Sequence, residues 1–476
     1  DHWNSARSLF THNFQDPMID ISDRSAIDIS GKSIAVLGIG RSGTAAAKLG
    51  KELGAEMFIS DINDSDKIQH SLSELKEYGI EGEAGNHSDR IQESDLIVVS
   101  PGIPKTSEVI REAEQSGVPI VGEIEFASWF TDVAIAAVTG SNGKTTTVHL
   151  LHEMCSTDSM TSTLAGNIGF PFAEAVKNDL NAPTENRVYV LEISSFQMEF
   201  TNHFHPHVSI FLNISPDHLD RHADMDEYIS MKMKLASNQG SGDFIVYNMD
   251  DAILSDIFST ATAAAIPFTL GPDGKIFGVN ETKIFDEEHA TLIDLDQIAL
   301  PGRHNLANQL AAASAAHLLG VDHSHISRVM ETFAGVEHRL EKVMDINGVT
   351  FINDSKATNV DAVNVALESL STPTILILGG IDKGGDFTTL PHTHNHIQEV
   401  IAFGQARNQI QTAIGDAVRF TSVDNLMDAV SVSSEHAENG WTVLLSPGCS
   451  SFDQFNNFEE RGRTFKKAVA ALVDSE

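Results

Sequence analysis

The sequence predicts an α/β protein of three domains, each a mainly parallel sheet with flanking helices. Three observations carry this. The chain has 476 residues, too many for one core, and at about 150 residues per domain that length suggests three. Apolar stretches of strand length alternate with helical patterns, which is how a parallel sheet with crossover helices reads in sequence. Two glycine turns, GIGRSG and GSNGKT, each lie between such a stretch and a helix, where parallel sheets hold phosphate groups.

In chain order, residues 1–29 form an extension. Its first 17 residues are polar without a sustained period, as in a flexible tail, and the smoother MIDISDRSAIDISGK begins at Met18. Residues 30–131 alternate strand and helix through SIAVLGIG, TAAAKLGKELG, MFISD, DLIVVSPG and PIVG. Residues 132–335 contain AIAAVTGSNGKTT, VYVLEISS, HVSIFLNIS and DFIVYNMDD, and end on the alanine-rich helix NLANQLAAASAAHLLG. Residues 336–476 carry VTFINDSK, TILILGG, VIAFG, VRFTSV and TVLLSPG, separated by helical patterns. Clefts between such domains are where small ligands bind.

Composition narrows the function. No apolar run is long enough to cross a bilayer, and DHWNSARSLF lacks the basic flank and apolar stretch of a secretory signal. Only Cys155 and Cys449 are present, so no disulfide framework is available, and a reducing cytoplasm is the expected location. The formal charge of −36 argues against a nucleic-acid surface, since nothing offsets repulsion from a phosphate backbone. The expected partners are small molecules acting on a monomer, with no nucleic acid and no membrane. Anionic substrates then need local cations and metal ions.

GSNGKT is the sharper of the two turns. Gly140 and Gly143 let successive N–H groups point inward, Lys144 adds a point charge, and Thr145 offers a hydroxyl to Mg²⁺. The Walker form has a glycine where this chain has Val138, but the anion-binding part is complete. GIGRSG matches G-x-G-x-x-G, with Asp61 at the end of the next strand. That pattern places a diphosphate at a helix N-terminus and a sugar hydroxyl at the acid. A nicotinamide cofactor offers both groups, and so does a nucleotide-sugar substrate.

Glu192, at the end of an apolar strand in the phosphate-loop domain, is placed to hold a nucleotide's Mg²⁺. NISPDHLDRH ends another strand with Asp217, His218, Asp220 and Arg221. In EYISMKMKLA, Tyr228, Lys232 and Leu235 share a helical face. Local pattern reads both Lys232 and Lys234 as solvated helix charges. HFHPH and PHTHNH lack cysteines or helical spacing and read as polar loops rather than metal patches.

As an ordered set, TGSNGKTT, LEISSFQME, PDHLDRH, GRHNLAN, HRLE, NDSKATN, LGGIDKGGDF and LLSPGCSSFDQFNNFEERG resemble the Mur ligases of bacterial cell-wall synthesis. The resemblance implies a Rossmann-like N-terminal domain, a central P-loop ATPase domain and a Rossmann-like C-terminal domain. It implies ATP-dependent ligation of D-glutamate to UDP-N-acetylmuramoyl-L-alanine through an acyl phosphate. Water must be kept from that intermediate, so the third domain is expected to close over the site. Rival readings are a sister ligase adding another amino acid, a nucleotide-operated switch, and an NAD-dependent oxidoreductase that leaves GSNGKTT unexplained.

The resemblance also implies roles by position. Gly140, Ser141, Asn142, Gly143, Lys144, Thr145 and Thr146 would hold the ATP phosphates. Asn308 and Arg339 would contact the nucleotide, with Asp354 near its ribose. Thr145 and Glu192 would hold one magnesium ion, and His218 with a carbamylated Lys232 a second. Gly40, Arg41, Ser42 and Gly102 would lie near the substrate diphosphate, Asp61 near its uridine, and Asn167 near the muramoyl-alanine arm. Lys356, Thr358, Lys383, Ser451, Phe452 and Phe458 would form the D-glutamate site. Lys144, His218, Lys232 and Lys356 would be the catalytic groups.

Overall fold

The computed structural model describes residues 19–215, 221–259, 264–382 and 384–473. The first 17 residues, read as a flexible tail, lie outside the described residues. Two compact units are present, Asp1–Phe333 and Ala334–Glu476.

The first unit holds two parallel sheets. Strands β1 (Ser33–Leu37), β2 (Glu56–Asp61), β3 (Glu81–Ala84), β4 (Leu96–Val99) and β5 (Ile120–Gly122) are ordered β3-β2-β1-β4-β5. Every pairing is parallel. The strand order reverses beside β1, so the turn after β1 lies at a switch point, where open α/β sheets bind ligands. Central strands are unbroken apolar runs because both faces are covered: all four residues of β4 are buried.

The second sheet comprises β6 (Ala134–Thr139), β7 (Thr161–Gly166), β8 (Arg187–Glu192), β9 (Val208–Phe211), β10 (Phe244–Asn248) and β11 (Ala264–Phe268). Its order is β11-β10-β9-β6-β8-β7, again parallel throughout. Its switch point lies at β6, which leads into GSNGKT. Helix Arg41–Glu52 of the first sheet packs on helix Phe172–Asn181 of the second, and one apolar cluster runs through both. A small antiparallel sheet of β12 (Phe277–Val279), β13 (Lys283–Asp286) and β14 (Thr291–Asp294) follows.

The second unit holds β15 (Glu341–Ile346), β16 (Val349–Asn353), β17 (Thr374–Gly379), β18 (Ile397–Phe403), β19 (Arg419–Ser422) and β20 (Thr442–Leu445). They are ordered β15-β16-β20-β17-β18-β19. Only β15 runs antiparallel to its neighbour. The sequence pattern misses β3, β7, β11, β15 and the small sheet. The first four are edge strands, and polar segments such as EGEA and TSTLAG lack the apolar run that marks a central strand. Among the described residues no helix is long and apolar enough to cross a membrane.

Candidate active site

The buried strand β6 delivers the phosphate-type loop to the carboxyl edge of the second sheet. Gly143 starts helix Lys144–Cys155 with φ +86°, and a Cβ there would sit 2.3 Å from Asn308 Oδ1. Glycine is therefore required by both conformation and space, and buried Asn308 packs directly against the loop. Lys144 folds back, its Nζ donating to the carbonyls of Gly140 at 2.7 Å and Ser141 at 2.9 Å. Asn213, just past β9, brackets the turn. It accepts the Ser141 N–H on its carbonyl at 3.0 Å and the Asn142 N–H on Oδ1 at 2.8 Å.

Oxygen donors gather beside it. Glu192, at the end of β8, is 2 % exposed. Its Oε2 accepts the Thr145 hydroxyl at 2.7 Å, and its Oε1 accepts the amide of Asn167 at 2.7 Å. Hydroxyl and carboxylate so close form a hard, all-oxygen donor set of the kind magnesium takes. Thr146 is buried on the same first helical turn.

Helix Met225–Met233 begins at Asp224, which accepts the Glu227 N–H at 2.9 Å. The local expectation that Lys232 and Lys234 are solvated fails. Lys232 is 2 % exposed, donates to Gly140 O at 2.9 Å and lies 4.5 Å from the Tyr228 ring centroid. The Tyr228 hydroxyl in turn lies 3.0 Å from Ser141 Oγ. Lys234 turns away to the carbonyls of Met198 at 3.1 Å and Glu199 at 3.2 Å, and burial pulls its amine below the usual lysine range. The helix touches the turn Phe196–Met198 on one side and reaches the phosphate-type loop through Lys232 on the other. His218, Asp217 and Asp220 lie outside the described residues.

At the first sheet's switch point, a Cβ on Gly43 would lie 1.9 Å from Gly38 O, so only glycine permits this tight turn. Asp61 closes it from β2, its Oδ2 accepting the Ile39 N–H at 2.8 Å. Arg41 donates to Gly169 O. Gly40 and Arg41 edge a cavity of about 300 Å³ that Lys48, Lys67 and Lys177 also line, a cluster of cations in a strongly acidic chain. Half-buried Ser42 and exposed Gly102 lie nearby, just past the carboxyl ends of β1 and β4.

In the second unit, the carboxyl ends of β16, β20 and β17 adjoin. Asp354 is buried, accepting Ser446 Oγ at 2.8 Å and Leu340 N at 3.2 Å, and burial pushes its carboxyl up to about 7. Arg339 is half-buried in the turn before β15, and its charge draws the Asp354 carboxyl back down in part. Lys356 and Thr358 follow β16 and are half-buried. Past β20, Ser451 is buried and Phe452 is 69 % exposed. Half-buried Phe458 opens helix Phe458–Val473. Lys383 lies outside the described residues.

Sequence reasoning missed Asn213 and Arg461. Arg461 is fully buried and ties three strand ends together. Nε donates to Ser355 Oγ at 3.0 Å and Nη2 to Ser355 O at 2.8 Å, while Nη1 reaches Cys449 O at 3.0 Å and Gly379 O at 3.3 Å. Burial lowers its pKa to about 10. No local signal separates Arg461 from Arg463 two residues on. The HFHPH segment is a polar loop, its His205 and His207 hydrogen-bonded to Asp243 at 2.6 and 3.3 Å.

Comparison with known proteins adds the family. Residues 32–122 match the Mur ligase MurD-like N-terminal domain, 138–316 the Mur ligase middle domain, and 338–449 the Mur ligase glutamate ligase domain. A Chlorobium limicola protein named UDP-N-acetylmuramoylalanine--D-glutamate ligase is 41% identical over 468 residues, covering 94% of this chain and 99% of its own. One of that name from Salinibacter ruber is 40% identical over 457 residues, covering 92% and 97%. Solved structures share the fold at low identity. The MurF ligase of Thermotoga maritima in complex with ADP has a TM-score of 0.54 at 15% identity, covering 94% of this chain and 97% of its own. A pseudomurein peptide ligase type C from Methanothermus fervidus has 0.53 at 18%, covering 93% and 100%. With three successive domains matched and relatives similar over nearly the whole length, the chain belongs to the Mur ligase family.

Proposed function

We propose that this chain is an ATP-dependent ligase joining D-glutamate to UDP-N-acetylmuramoyl-L-alanine in the making of peptidoglycan precursors. The supporting observation is the convergence at the second sheet's carboxyl edge. Lys144 and Lys232 both reach the Gly140 loop, and Thr145 meets Glu192. The names of the relatives supply the substrate pair.

A carboxylate is a poor electrophile. In this reading, an oxygen of the alanine carboxylate attacks the γ-phosphorus of ATP, and the bond to the bridging oxygen breaks to release ADP. The D-glutamate amine then attacks the acyl carbon, inorganic phosphate leaves with the C–O bond, and the amine's proton passes to the surroundings. Such a route depends on positioning and on charge stabilisation.

The residues divide the work. The Gly140–Thr146 turn cradles phosphate with Lys144 as its point charge, and Asn308, Arg339 and Asp354 receive the nucleoside. Thr145 and Glu192 fit one magnesium ion by their donor chemistry, and His218 with a carbamate on Lys232 would serve a second. Magnesium supplies charge neutralisation on phosphate oxygens. A carbamate converts the Lys232 amine into an anionic oxygen donor suited to that hard cation. Gly40, Arg41, Ser42, Asp61, Gly102 and Asn167 receive the UDP-sugar. Lys356, Thr358, Lys383, Ser451, Phe452 and Phe458 receive D-glutamate. A cytoplasmic monomer acting on these small molecules is part of the same proposal.

The test is phosphate release with ATP, Mg²⁺ and UDP-N-acetylmuramoyl-L-alanine across a panel of amino acids. D-Glutamate should drive release and appear in the product. Equal release without any amino acid points to a switch, and preference for another amino acid to a sister ligase.

A further inference from the structure

Between the two switch points of the first unit lies a set of contacts that no substrate role accounts for. The loop after β4 touches the glycine fingerprint through Ser100 Oγ, which donates to Gly38 O at 3.2 Å. From the second sheet, Arg221 clasps that same loop. Its Nη2 donates to Ile103 O at 3.0 Å and its Nη1 to Gly102 O at 3.4 Å. Nε and Nη2 also grip Glu199 in a two-point pair at 3.1 and 2.8 Å, and the guanidinium lies 4.6 Å from the Phe196 ring centroid. Both partners of the pair are largely buried, with 14 % and 3 % side-chain exposure. A planar fork is needed to satisfy two carbonyls, a carboxylate and an aromatic face together, and lysine cannot do this.

A second strap runs beside it. Lys105 pairs with Glu227 in the first turn of helix Met225–Met233, and the other oxygen of Glu227 accepts the Ala223 N–H at 2.7 Å. Next to Arg221, His222 is buried, with Nε2 2.9 Å from Ser195 Oγ. Its ring stacks on Phe196 at 5.6 Å and meets Tyr228 at 5.5 Å. Tyr228 reaches Ser141 at 3.0 Å, and Lys232 on the same helix reaches Gly140 at 2.9 Å. The contacts therefore run without a gap from Gly102 to the phosphate-type loop.

We infer that Arg221 is a positioning residue that couples occupancy of the first sheet's nucleotide-sugar site to ATP binding at the second sheet's loop. The inference rests on the proposed function for what each site holds. A ligand that shifts the Gly102 carbonyl must shift the Arg221 fork, and with it the start of the helix that bears Tyr228 and Lys232. Packed hydrogen-bonded elements of this kind carry coupling between sites.

The test is calorimetric titration of the imido analogue of ATP with Mg²⁺, with and without saturating UDP-N-acetylmuramoyl-L-alanine. In the wild type the acid should tighten the analogue at least about five-fold, and the analogue should tighten the acid by the same factor. Arg221→Ala should bring that factor to within about two-fold of unity while each ligand's own affinity stays within about three-fold. Arg221→Lys should not restore it, and Lys105→Ala should lower it in part. A merely structural arginine would lower both affinities and leave their ratio intact, and that result overturns the inference. Should Arg221→Ala not fold, Lys105→Ala and Glu199→Gln decide, and unchanged coupling in both overturns it. Binding of both ligands to the wild type without coupling overturns the role of Arg221 alone. Failure of either to bind overturns the reading of the sites themselves.

Discussion

Replacing Asp354 by asparagine makes a pH dependence visible. Asp354 sits just past β16, buried, and its carboxyl is pushed up to about 7. An aspartate in an unfolded chain titrates at about 3.9. Between these values the native state keeps a proton that the unfolded chain releases. Stability from this group is therefore present in full below about pH 4 and lost as pH rises through about 7, at about 1.4 kcal/mol per pH unit. Over the whole window that is about 4 kcal/mol. Asparagine is neutral throughout and keeps an oxygen for Ser446 or Leu340, so Asp354→Asn should lack this slope. Glu123 in the first unit is also raised to about 7 by burial, but it is common to both proteins and cancels in the difference. Of the three tryptophans Trp3, Trp129 and Trp441, only Trp441 lies in the second unit. Urea unfolding followed by its fluorescence, in a Trp3→Phe, Trp129→Phe background from pH 4.5 to 8, reads that unit. Parallel pH profiles for the two proteins would show that burial does not control this carboxyl.

Four further outcomes are expected. Lys144→Ala should abolish ATP-dependent ligation, and retained turnover refutes the phosphate-loop role. Lys232→Ala should lose activity without rescue by bicarbonate, and a peptide mass map with the carbamate on Lys234 instead would move that role. Gly143→Ala must push Asn308 Oδ1 from 2.3 Å and hold φ +86°; the left-handed backbone alone costs about 1–2 kcal/mol, so an unchanged Tm contradicts the loop geometry. Lys383→Ala should raise the KM for D-glutamate far more than that for ATP, and the reverse order would mean the amino-acid site is elsewhere.

The family comparisons fit the ordered motifs read from the chain, and the parallel sheets follow the strand–helix alternation. That much was legible because apolar runs and the Gly–Lys–Thr order act within a few residues of themselves. SIAVL and LIVV read as strands from their own letters, and in the sheet both have a neighbour on each side. Glu192 was legible for the same reason, as an acid that ends such a run.

The sequence by itself determined the apolar strands, the two glycine turns and the acid that ends β8. Tertiary structure alone decided which of Lys232 and Lys234 faces the loop, that Arg221 spans two sheets, and that Arg461 binds three strand ends. Lys232 meets Gly140 across 92 residues of chain, Arg221 meets Ile103 across 118, and Arg461 meets Ser355 across 106. A side chain's burial and partners depend on what the fold brings against it, and two lysines two residues apart on one helix carry no local mark of that difference.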